Sequence, residues 1–217
     1  MKKAIYIFTT SVILLLILGF FAFKADRDLN GIWIGEYIID KKLYFAQEGI
    51  LTFKNNKCFE QWPNHYENQV KESDNIFFDI INFDFENGYG RYKIVNVSKD
   101  SLVINKSPNY DEPSLYIYRR LTDNLKHKKE NELAGKKFVL KSKTFIDTVY
   151  FKNNSSLIRN ANNEKYNLNW IRIDNEGFDI LFMTEYVPYL IIKENEKDII
   201  LRTLHNVDVE YTMTELD

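Results

Sequence analysis

The chain has 217 residues, with 29 Lys and Arg against 31 Asp and Glu, a formal net charge of −2 and one cysteine. That balance holds no basic patch for nucleic acid, and a lone cysteine rules out an internal disulfide, so stability must come from a packed core. Aromatic residues make up 15% of the chain beside 8 glycines and 4 prolines, which suits a small core that buries much area with few side chains.

The chain opens with Lys2 and Lys3, then runs uncharged from Ala4 to Phe23. As a helix at about 1.5 Å per residue this run reaches roughly 30 Å, the thickness of a bilayer core. Phe21 and Phe23 crowd Ala22 at the best cleavage position, and no cysteine is near for lipid attachment. Residues 1–24 are therefore expected to be an uncleaved signal anchor, a transmembrane helix in the inner membrane. The rest of the chain would lie outside the cytoplasm in the cell envelope. A cleaved signal peptide, giving a periplasmic or secreted protein, is the alternative. Once Lys2 and Lys3 are set aside, the formal charge of −2 becomes −4 for the exported part.

The first strand is "LNGIWIGEYI", Leu29 to Ile38, which sets Gly31, Trp33, Gly35 and Tyr37 on one face. Glycine permits a sharp bend and close strand approach, and Trp33 and Tyr37 would fold over the gap, so these four are read as structural anchors. "LTFKNN" follows as a strand and turn, and then "CFEQWPNHY", Cys58 to Tyr66. Trp62, His65 and Tyr66 gather around Pro63 in what should be a loop at a barrel mouth, where small-molecule binders place aromatics. They are the ligand-binding candidates; a loop packing its own rings over the barrel end is the competing reading. Cys58 reads as a half-buried strand cysteine rather than a nucleophile. Asp79, between Phe78 and Ile80, is expected to face water, as is Asp179 between Phe178 and Ile180. "FDFENGYG" lacks the ligand count of a calcium loop and reads as a hairpin. Tyr92 to Val97 and Leu102 to Ile104 flank the turn at Lys99-Asp100, and "YIYRRL" closes on Leu121 with both faces partly apolar.

After the charged stretch Thr122 to Glu132, expected to be a solvated linker or short connecting helix, the same features return. Phe53-Lys54-Asn55-Asn56 recurs as Phe151-Lys152-Asn153-Asn154, and Lys99-Asp100 as Lys197-Asp198, both at an offset of 98 residues. Phe178-Asp179-Ile180 repeats Phe78-Asp79-Ile80, and Leu133-Ala134-Gly135 repeats Leu29-Asn30-Gly31. An ordered series at a nearly fixed offset marks a tandem repeat, with units at residues 29–121 and 133–216 joined by 122–132. On that alignment Phe53 should lie on Phe151 and Asp100 on Asp198. Lys137 would take the place of Trp33, with Phe138 displaced by one, unless a bulge restores it.

Both units alternate with period two, as in Tyr166, Leu168 and Trp170 against Asn167 and Asn169. Turns fall at Asn-Asn, Asp-Asn and Glu-Asn-Gly, where asparagine tolerates the left-handed conformation of tight hairpins. Seven or eight short strands per unit predict an all-β protein: two tandem small antiparallel meanders or barrels after an N-terminal helix. The Leu-x-Gly-x-Trp opening past an export leader, the "LTFKNN" strand and turn, and the apolar-aromatic closing strand resemble the exported lipocalin-like domains of Bacteroidota. The resemblance covers both units and implies an up-and-down β-barrel or barrel-like meander in each.

No paired histidine or cysteine spacing suggests zinc, and no nucleophile elbow, phosphate loop or dinucleotide fingerprint is present. The expectation is a non-enzyme without catalytic residues, metal or cofactor. Two function classes stay open. One is an envelope-anchored binding module holding an apolar small molecule or lipid. The other is a protein-interaction or inhibitory, immunity-like protein with filled barrels. An apolar void of several hundred Å³ favours the first, filled interiors the second.

Overall fold

The computed structural model describes residues 8–19, 29–35, 38–40, 43–45, 49–55, 57–63, 68–72, 84–87, 90–105, 115–183, 188–203 and 209–216. Residues 8–19, the described part of the apolar leader, are helical with exposed side chains. No helix among the described residues is long and apolar enough to cross a membrane.

Among the described residues, everything else regular is β, apart from the helical Leu29 and one 3-10 turn at Asp123–Leu125. The first unit holds β1 (Gly31–Gly35), the hairpin β2 (Ile38–Asp40) and β3 (Leu43–Phe45), β4 (Ile50–Lys54), β5 (Lys57–Pro63), β6 (Asn68–Glu72), β7 (Asp84–Asn87), β8 (Gly90–Val97), β9 (Ser101–Asn105) and β10 (Leu115–Arg120). The second holds β11 (Lys137–Lys141), β12 (Ile146–Phe151), β13 (Ser156–Ala161), β14 (Glu164–Asn169), β15 (Ile171–Asn175), β16 (Phe178–Phe182), β17 (Pro188–Glu194), β18 (Asp198–Thr203) and β19 (Val209–Glu215). The protein is all-β with two domains, each a curled antiparallel sheet.

The sheet orders are β6-β5-β4-β1-β10-β9-β8-β7 and β14-β13-β12-β11-β19-β18-β17-β16-β15. In each, strands adjacent in the sheet are mostly neighbours in sequence and the last strand returns to the first, which is up-and-down connectivity, with β2 and β3 forming a separate hairpin and the edge pairs β6/β7 and β14/β15 unpaired with each other. Only Trp170 separates the two edge strands β14 and β15, so one bent run serves both edges. Trp170 fixes the bend: its backbone N–H donates to Ser155 (2.9 Å), its indole N–H donates to the Asn153 carbonyl (2.8 Å), and its ring meets Phe151 edge-on at 4.9 Å.

Registers define which residues of the units correspond. Trp33 lies opposite Leu51 and Arg120; Phe138 lies opposite Val149 and Glu215. Phe138, not Lys137, therefore takes the place of Trp33, and Lys137 is exposed. The cause is a bulge. Gly135 N–H donates to the Phe151 carbonyl (2.7 Å), while Phe151 N–H donates to Lys136 (3.0 Å). Two residues thus oppose one, with the first at φ 82°, a conformation glycine adopts without a Cβ penalty. The extra residue turns Phe138 back into the interior.

Phe53 and Phe151 correspond as expected. Further on the offset becomes 97. Both units carry a register shift, at Ile94/Asn96 and at Ile191/Lys193. Both then turn through a capped loop: Ser98 Oγ accepts from Ser101 N–H (3.0 Å), and Asn195 Oδ1 accepts from Asp198 N–H (2.7 Å). Asp100 therefore falls on Lys197, and Ser101 on Asp198, one residue away from the sequence alignment. The shared "FKNN" turns differently too. Asn55 (φ 53°) closes a two-residue hairpin between Lys54 and Lys57, whereas Asn153 Oδ1 accepts from Ser155 and Ser156 N–H in a longer loop.

Each sheet wraps its own core. The first packs Leu29, Trp33, Leu51, Phe53, Cys58, Tyr92, Ile94, Leu102, Ile104 and Tyr118; the second has Leu133, Phe138, Val149, Phe151, Leu157, Tyr189, Ile191, Ile199, Leu201 and Met213 at the matching positions. A third cluster lies outside both interiors. Ile32, Ile34 and Ile50, on the outer face of β1 and β4, pack with Leu121 and Leu125 against Ile173, Phe178, Ile180, Phe182 and Leu190. This contact explains why β1 is apolar on both faces. Asn175 Nδ2 donates across it to Gln61 (2.8 Å), and Lys54 pairs with Glu176 at 3.1 Å.

Candidate functional site

Trp33 is fully buried, its indole N–H donating to the Leu29 carbonyl at 2.7 Å and its ring lying 4.3 Å from the Arg120 guanidinium. Gly31 opens β1 at φ 129° and Gly35 pairs with Tyr118. Tyr37 lies outside the described residues, as do His65, Tyr66 and Asp79. Trp62 pairs with Gln69 through its backbone in β5, and its side chain is outside the description. Cys58 is fully buried in the first core. The aromatic mouth is thus not brought together by any described contact.

Two ionic groups in the second half-barrel are. Alternation along β15 and β16 sends Ile171, Ile173, Phe178 and Ile180 outward to the first unit and Arg172, Asp179 and Leu181 inward. Glu194 on β17 lies opposite the core residue Ile199 and also faces in. Arg172 forks Asp179, donating from Nε to Oδ1 at 2.8 Å and from Nη2 to Oδ2; Nη2 also reaches Glu194 Oε2 at 2.9 Å. Asp179 is 1% exposed. The expectation that it faces water is overturned. In a strand buried on both sides, the residue between Phe178 and Ile180 points into the second interior, and the guanidinium makes its charge tolerable. Burial alone would lower the Arg172 pKa, but bonds to Asp179 and Glu194 outweigh it and raise the pKa above its usual value.

The segment between the units is tied to this end of the second half-barrel. His127 N–H donates to the Gly177 carbonyl (3.0 Å), Glu130 N–H to Glu194 Oε2 (2.9 Å), and Arg172 Nη1 to the Asn131 carbonyl (2.7 Å). Residues 127–131 are thus tethered to the second unit by these bonds, while Lys128, Lys129 and Glu130 remain exposed. His127 Nδ1 stops 3.6 Å from Asp179 Oδ2.

At the opposite end, Arg159 donates from Nε to Asp147 (2.8 Å) and stands 5.5 Å from the Phe145 ring. Tyr189 packs beside it, edge-on to Tyr211 at 5.4 Å. Burial pushes the Tyr189 phenol up to about 12, with Arg159 acting in the other direction. The first unit has Glu60 at the place of Arg159, and there Tyr92, the counterpart of Tyr189, donates its hydroxyl to Glu60 (3.0 Å).

Sequence reasoning singled out none of Arg172, Glu194, Asp147 or Arg159. The available signal was a charge set inside an apolar run, "WIRID" and "LIIKE", where both strand faces must be buried. Compared with known proteins, the chain matches no protein-family model, no curated protein and no solved structure.

Proposed function

We propose that the chain is a non-enzymatic, lipocalin-like interaction protein of the cell envelope, held by its N-terminal apolar helix, whose barrels are filled and whose work is done at the outer surface. The observation that carries this reading is the interior packing. Trp33, Tyr118 and Leu51 meet inside the first sheet, and Phe138, Phe151 and Met213 inside the second, all essentially without solvent exposure. A binder of apolar small molecules keeps a cavity where these side chains stand. Residues 127–131 are also tethered to one end of the second unit. The described ionic groups pair Arg172 with Asp179 and Glu194, and Arg159 with Asp147, rather than forming a set of nucleophile, base and oxyanion donors.

A photo-crosslinking residue at Val95, Ile146 or Tyr166, all exposed, tests this in intact envelopes. A discrete protein adduct is expected from at least one position. No protein adduct from any of them, together with saturable uptake of a fluorescent fatty acid by the purified chain, would return the account to a lumenal ligand.

A further inference from the structure

We propose that His127, Asp179 and Glu194 form a site for one divalent cation of the zinc class, which staples the segment between the units onto the second barrel. One ligand atom from each of the three lies within 4.8 Å of the others. Zinc sits about 2.0–2.2 Å from nitrogen and oxygen ligands, so closing the shell takes small side-chain rotations, chiefly of His127.

Three features converge on a cation. The first is orphaned acceptors. Glu194 Oε1 is buried without a hydrogen-bond partner, and so is His127 Nδ1; the Glu194 side chain is 0% exposed. Buried polar atoms without partners are rare because each forfeits its hydration. The second is charge. Two carboxylates share one guanidinium, leaving a formal excess of one negative charge where water is nearly excluded, and an uncompensated buried charge is strongly destabilising.

The third is the committed geometry of Arg172. Its Nε and Nη2 serve Asp179, Nη2 also serves Glu194 Oε2, and Nη1 serves the Asn131 carbonyl. The guanidinium cannot also reach Oε1. It acts instead as an outer partner that orients both carboxylates, as hydrogen-bonded neighbours of metal ligands do.

The donor set selects the ion. One imidazole nitrogen and two carboxylates suit zinc better than calcium or magnesium, which want more oxygens. His127 is 13% exposed, so the site is open to solvent on that side. Ligation at Nδ1 requires the tautomer that carries its proton on Nε2. The first unit has Val97 where the second has Glu194, so the site belongs to the second barrel alone.

The test is isothermal titration of the metal-stripped full chain with zinc, and separately with calcium and magnesium, near neutral pH. One zinc equivalent should bind at micromolar protein concentration, with calcium and magnesium at least about a hundredfold weaker. His127→Ala and Glu194→Gln should each weaken zinc at least about tenfold while circular dichroism shows the fold intact. Zinc should also slow proteolytic cleavage within residues 127–132 of the native chain and leave His127→Ala unprotected. Absent saturable binding, or equal binding and protection in His127→Ala, would overturn the site. The latter would place the ion elsewhere, and the former would leave the cluster without a cation.

Discussion

Trp33 and Phe138 hold the same place in the two half-barrels, Trp33 on β1 between β4 and β10 and Phe138 on β11 between β12 and β19, each facing inward. Both are buried to 2% exposure or less. Removing a buried ring of this size costs about 3–5 kcal/mol, against a total of roughly 5–15 kcal/mol for a domain. Trp33→Ala and Phe138→Ala should therefore each lower the thermal midpoint of the full chain by many degrees. Lys137→Ala, at the position the sequence alignment matched to Trp33, should change it little. A small shift for Trp33→Ala would mean that the first interior is not the packed core described.

How much of this was legible in the sequence can be judged from those same positions. The repeat was, because strand-and-turn tetrads such as "FKNN" survive as letters. So was the role of asparagine in turns: Asn162 and Asn163, at φ 52° and 65°, close the β13–β14 hairpin. The bulge at Gly135 was not decidable, since a glycine beside a strand start serves a bend or an inserted residue equally well. The slip from offset 98 to 97 was hidden for a similar reason: Lys99-Asp100 and Lys197-Asp198 sit in turns, where identity of letters does not fix register. The Arg172 cluster was least legible, because its members come from β15, β16, β17 and the connecting segment. Only the pairing brings them together.

The two units should not behave as separable beads. Ile32, Ile34 and Ile50 are covered by the second unit, so residues 29–121 alone would expose them. Phe178→Ala, in the shared cluster, should cost about 3–5 kcal/mol and shift the unfolding of both barrels, followed by calorimetry of the full chain. Glu176→Ala removes only the exposed pair with Lys54 and should cost at most about 1 kcal/mol. Two independent transitions, of which Phe178→Ala moves one, would contradict the interface.

The Arg159–Asp147 pair should show the asymmetry of buried ion pairs. Arg159→Leu leaves the Asp147 carboxylate buried and alone, costing about 3–5 kcal/mol; adding Asp147→Leu should recover most of it. Chemical denaturation of the single and double variants checks this. Additive losses would mean that the two side chains carry no coupling energy.

Tyr189 gives a pH dependence with a definite sign. Its phenol ionises near 10 in the unfolded chain and at about 12 in the fold, mainly because burial disfavours the phenolate. Its contribution is intact below about pH 10, and stability falls as pH climbs toward 12, by about 2–3 kcal/mol across that window. Tyr189→Phe should lose this part of the fall, measured as the difference in denaturation midpoints between pH 9 and about 11.5. Identical slopes in the two proteins would place Tyr189 in a more solvated site.

The central claim, that both barrels are filled and carry no lumenal ligand, is tested most directly by native mass spectrometry of the full chain purified without denaturation. The same sample would be extracted with organic solvent and analysed for lipid. The account predicts the bare polypeptide mass, apart from one zinc ion, and no lipid in stoichiometric amount. A stoichiometric apolar adduct, released on denaturation and recovered in the extract, would contradict it.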